Sequence, residues 1–253
     1  MSSLEISLIT LLCLTAGLLL GMWLQFRLPD HHLSKESQDT IKLGTGMVAT
    51  MSALVLGLLV SSAKSSFDAM NLAIAQNGAR IIQLDQCLAG YGTETRACRD
   101  HLKKSVADQM AKVWGKTAPG ESGMLAVEKS TAMRDLQASL HALTPQSDLQ
   151  KSALSQVQQI SNDIWQNHLL TLEQQQQPVP PVFLILLVFW LAMLFLSFGL
   201  FAPRNATVMA VMLVCALSVS SAMFLILEMN HPLDGYIKAS DAPLLKALEM
   251  IGQ

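Results

Sequence analysis

The residues best suited to chemistry in this chain stand in three small groups. Glu228, Asn230, His231, Pro232, Gly235 and Ser240 crowd into the stretch EMNHPLDGYIKAS, directly after a long apolar run. Asp30, His31 and His32 adjoin one another, and Cys87 and Cys98 flank LAGYGTETRA. Adjacent histidines lack the spacing that brings two imidazoles to one metal ion, and in a loop they are ordinarily solvated. No glycine-rich phosphate loop, nucleophile elbow or His-Glu-x-x-His pattern occurs in the sequence. No catalytic residue, metal or cofactor is therefore expected, and the chain does not read as an enzyme.

What must position these groups is a membrane fold. Of the 253 residues 51% are hydrophobic and only 14% are charged, too apolar a balance for an ordinary soluble domain. Four windows contain no Asp, Glu, Lys or Arg: Ile6 to Phe26, Leu43 to Ser62, Val182 to Ala202 and Thr207 to Leu227. Each is about twenty residues long, which at about 1.5 Å per residue crosses a hydrocarbon core of roughly 30 Å. The first run starts without a basic segment and exceeds the usual length of a signal-peptide core, so it reads as a retained helix. The expected fold is all-α. Residues 1–62 hold the first two spans and their short loop, residues 63–177 an extramembrane helical bundle, and residues 178–253 the last two spans with a C-terminal tail.

The segment from Ala63 to Gln177 carries 11 basic and 11 acidic side chains, a balance that gives no reason to expect nucleic acid. Phe67, Met70, Ile74, Ile81, Leu84 and Leu88 recur at helical spacing and continue the second span without a break. After the turn at AGYGT, Leu102, Val106, Met110 and Val113 mark a second helix. Met133, Leu136 and Leu140 mark a third, and Leu149, Ala153, Val157, Ile160 and Ile164 a fourth, which QQQQPVPP ends because proline removes donors. Such stripes suit an antiparallel bundle.

Arg27, Lys35, Lys42 and Arg204 lie close to span ends, so the positive-inside rule puts their loops in the cytoplasm. Both termini and residues 63–177 then fall on the outer, periplasmic side of a bacterial inner membrane. An oxidising compartment there permits a Cys87–Cys98 disulfide, since both lie equally far from the hairpin turn; two packed thiols are the alternative. No charged side chain sits deep in a span, which argues against an ion-coupled carrier. Small residues do align: Thr45, Ala49, Ala53, Gly57 and Ser61 repeat along the second span, and Gly17 and Gly21 form a G-x-x-x-G on the first. These are read as helix-packing faces that also serve oligomerisation.

The stretches SALVLGLLVSSAKSSFDAMNLAIAQNGARIIQLDQCLAGYG and LILEMNHPLDGYIKASDAPL resemble the bestrophin-like domain-of-unknown-function family, four-helix membrane proteins of bacteria and plants. The resemblance covers nearly the whole chain. It implies kinship with bestrophins, which are pentameric anion channels lined by their second helix. Laying Leu56 and Gly57 on the Leu-Gly of the bestrophin pore stretch puts Thr50, Leu54 and Leu58 on the constriction face. The family commonly carries an acid and an arginine before the terminal proline, where this chain has Asn230 and His231; Glu228, Pro232, Gly235 and Ser240 match.

The polar stretch after the last span is first of all a helix end, with a proline to stop the helix and a glycine to permit the turn. On the expected topology Lys64 and Asp68 emerge on the same membrane face, making with Glu228, Asn230 and His231 a polar collar that either fixes the bundle base or guards a vestibule. Two functions follow. One is a homo-oligomeric pore in the lipid bilayer, lined by the second helix and taking inorganic anions. The other is a membrane-anchored scaffold or binding protein acting through its outer bundle.

Overall fold

The computed structural model describes residues 2–29, 34–115, 137–140, 142–175, 180–203, 205–233 and 235–252. Among these residues helix is the dominant structure and there is no strand, and the chain folds as two compact units. Asp30, His31, His32, Met133, Leu136, Arg204 and the residues 176–179 of the expected hinge lie outside the described residues.

The first unit comprises Met1–Ser65 and Pro178–Asn230. It holds α1 (Ser3–Arg27), the first part of α2 (Lys35–Tyr91), α5 (Pro181–Phe201) and α6 (Ala206–Met229). All four helices are long and apolar enough to cross a membrane, and each covers one of the charge-free windows, α5 all but its last residue. The chain is thus a multi-pass membrane protein whose apolar surface contacts lipid. α1 opens on a capping box in which Ser2 and Glu5 satisfy each other's backbone donors. Near its other end the Arg27 guanidinium stacks 5.2 Å over Trp23, an aromatic and a cation at the level where a span meets headgroups.

Lipid tails are as apolar as leucine, so helices in a bilayer gain little by burying apolar area and associate through close contact instead. α1 and α5 show how. A Cβ on Gly17 would stand 2.7 Å from the Ala192 carbonyl oxygen, and one on Gly21 would strike the Leu196 carbonyl. Reciprocally, a Cβ on Gly199 of α5 would strike the Leu18 carbonyl of α1. The G-x-x-x-G of α1 therefore meets a third glycine, and backbone approaches backbone on both sides.

α6 adds a polar tie, as the Ser220 hydroxyl donates to the Ser7 carbonyl oxygen at 2.6 Å with both residues buried. Replacing Ser220 with alanine is expected to destabilise the solubilised protein by about 0.6 kcal/mol, the average for such bonds between membrane helices. A change in unfolding free energy several times larger would show that Ser220 does more than tie two helices.

The second unit comprises Ser66–Gln177 and His231–Gln253. It contains the rest of α2, a 3-10 turn (Thr93–Thr95), α3 (Arg96–Trp114), α4 (Asp148–Gln175) and α7 (Ala242–Met250). Burying a large apolar side chain from water contributes roughly 1.5–3 kcal/mol. One core joins Met70, Ile74, Ile81, Leu84 and Leu88 of α2 to Leu102, Val106 and Val113 of α3 and to Val157 and Ile160 of α4. Leu149, expected on the apolar stripe of α4, is instead 85% exposed. It occupies the first turn, before the stripe has turned toward the core.

The same core takes Leu233, Ala239, Leu244, Ala247 and Ile251 from the C-terminal segment. Gly78 makes room for it, since a Cβ there would stand 2.8 Å from the Pro243 carbonyl oxygen. Hydrogen bonds fix the segment at both ends. Trp114 donates to the Ala239 carbonyl at 2.9 Å and the Ser240 amide to Asn71 Oδ1 at 3.2 Å, while Lys103 donates to the Ile251 carbonyl at 3.3 Å.

Candidate functional site: the uncovered row of the second helix

α2 is one uninterrupted helix of 57 residues. Its apolar span is rich in leucine, methionine and alanine, and Thr45, Thr50 and Ser52 bond back to their own helix. Thr50 donates to the Met47 carbonyl at 2.8 Å and Ser52 to the Val48 carbonyl at 2.8 Å, so neither asks another helix for a partner.

One narrow side of the span packs inside the unit. Ser52, Leu59 and Ala63 are buried, with Val48, Ala49, Val55 and Leu56 partly so. The rest is open. Only 11% of the most apolar stretch of this helix is buried, against 28–33% in the other three spans.

Thr50, Leu54 and Leu58 all lie on the open side, the two leucines at 70% and 71% exposure. The small-residue repeat is split. Thr45 and Ala49 are half-buried, whereas Ala53, Gly57 and Ser61 are exposed, and a Cβ on Gly57 would meet nothing within 4 Å. Within one chain this repeat is therefore not the packing face that Gly17 and Gly21 are. Rotation explains the difference, since a residue every fourth position drifts about 40° per step around a helix of 3.6 residues per turn.

The polar residues around the last span divide between the two units. In the first unit Glu228 is buried in the final turn of α6, Lys64 is exposed, and the Asn230 side chain donates to the Ile226 carbonyl at 2.9 Å, closing the helix end. In the second unit Asp68 and His231 are exposed and Pro232 is buried. The His231 carbonyl accepts from the Gly235 amide at 3.1 Å, and the Pro232 carbonyl from the Ala239 amide at 2.7 Å. Ser240 Oγ accepts from the Ala242 amide at 3.3 Å at the start of α7. Pro232, Gly235 and Ser240 thus shape a turn that leads into a short helix.

All four cysteines are free thiols. Cys98 is buried in the core of the second unit and Cys87 packs half-buried against it, so the packed-thiol alternative describes them. Burial pushes the Cys87 thiol above its ordinary pKa, which lowers its reactivity.

A buried ion pair of the second unit was not singled out from sequence. Arg99 grips Asp85 with two bonds of 2.7 and 2.8 Å, and the Gly252 amide donates to the same carboxylate at 3.3 Å. The hydrogen bond to Asp85, with its charge, raises the Arg99 pKa still further. Asp85 and Arg99 stand seven residues either side of Gly92, and that symmetry about a hairpin turn is the signal that could have found them. Among the described residues no group of three or more His, Cys, Asp or Glu side chains is placed to hold a metal ion.

The family model described as the Bestrophin-like domain matches residues 12–244. No curated protein and no solved structure matches the chain.

Proposed function

We propose that this chain, which belongs to the family of bestrophin-like domains, is one subunit of a homo-oligomeric ion pore with α2 innermost. The observation that carries the reading is the sparse cover of α2, the least buried of the four spans. An uncovered leucine face alone would be content in lipid. Ala53, Gly57 and Ser61 are a different matter, because small residues let helix backbones approach and are favoured where membrane helices meet. Copies related by rotation about one axis would bring this side of α2 together and close a ring.

On this reading Thr50, Leu54 and Leu58 form the constriction, and the chain carries out no catalysis. Residues 63–177 form a helical bundle inserted between the second and third spans. The basic residues Arg27, Lys35 and Lys42 lie in the cytoplasm of a bacterium, and the bundle and both termini on the periplasmic side of its inner membrane. Inorganic anions are the permeant class that the family resemblance implies.

Native mass spectrometry of the protein in nanodiscs tests the assembly. A closed ring of about five copies is expected, the number that the resemblance implies for a cyclic assembly. Gly57→Leu is expected to shift that mass toward the single chain, since the added side chain fills the space where neighbouring copies meet. A wild-type monomer or dimer would overturn the pore and leave a membrane-anchored protein that binds partners through its second unit.

A further inference from the structure

We draw no further inference here: the strongest candidate, the uncovered side of α2 in the first unit, with Gly46, Ala53 and Gly57 on one flank and Met47, Met51 and Leu58 on the other, belongs to the site already described, and nothing in the structure shows what covers either flank.

Discussion

Gly21→Val is expected to remove the folded membrane unit, with loss of monodisperse protein on size exclusion in mild detergent. A side chain at this position would drive into the Leu196 carbonyl and crowd the Leu200 amide, both of them backbone atoms of α5. Backbone in a packed helix cannot move aside as a flexible side chain can. The cost should therefore exceed the roughly 1–3 kcal/mol typical of overpacking. Gly199→Val meets the same obstacle from the other helix, at the Leu18 carbonyl, and is expected to match it. The control is Gly57→Val, where a side chain enters open space and the fold of the single chain is expected to survive. Should Gly21→Val elute and melt like wild type, the close approach of α1 and α5 would not be what holds this unit together.

Arg99→Met is expected to lower the stability of the second unit by about 3 kcal/mol, the lower end of what removing one partner of a buried ion pair costs. The lower end applies because the Arg99 side chain is 21% exposed, whereas that of Asp85 is only 7% exposed and would be left charged beside apolar neighbours. Arg99→Lys should recover only part of the loss, since a single ammonium cannot reproduce the two-pronged grip on Asp85. Hydrogen exchange provides the sharper readout. The Gly252 amide bonds the same carboxylate, so amides of α7 should exchange faster in Arg99→Met while those of α1 do not change. An unfolding midpoint equal to that of wild type would show that the pair is too well hydrated to matter.

Close backbone contact holds the first unit and a buried ion pair ties the second, and the two leave different traces in sequence. Span number and position were legible because about twenty uncharged residues in a row have almost no other destination than a bilayer. The stripe Met70, Ile74, Ile81, Leu84 and Leu88 was legible because helical spacing of apolar residues in a polar segment points to one buried side. The G-x-x-x-G of α1 announced a close contact, yet its partner Gly199 is a lone glycine in an apolar run with no local pattern to mark it. The membership of the family was legible too, in two quoted stretches at opposite ends of the chain.

Local residue patterns therefore specify the elements of this chain: four apolar helices, a second helix that runs on past its span, and a polar segment that ends the last one. Partners are another matter, because they depend on which residues distant in the chain come together. The fold is what brings the C-terminal segment into the core of the second unit through Gly78, Trp114 and Asp85. The fold likewise separates the small residues of α1, which press against a neighbour, from Ala53, Gly57 and Ser61 of α2, which its own chain leaves uncovered. The two repeats look alike in sequence because residue size is a local property, whereas burial depends on what another helix places opposite.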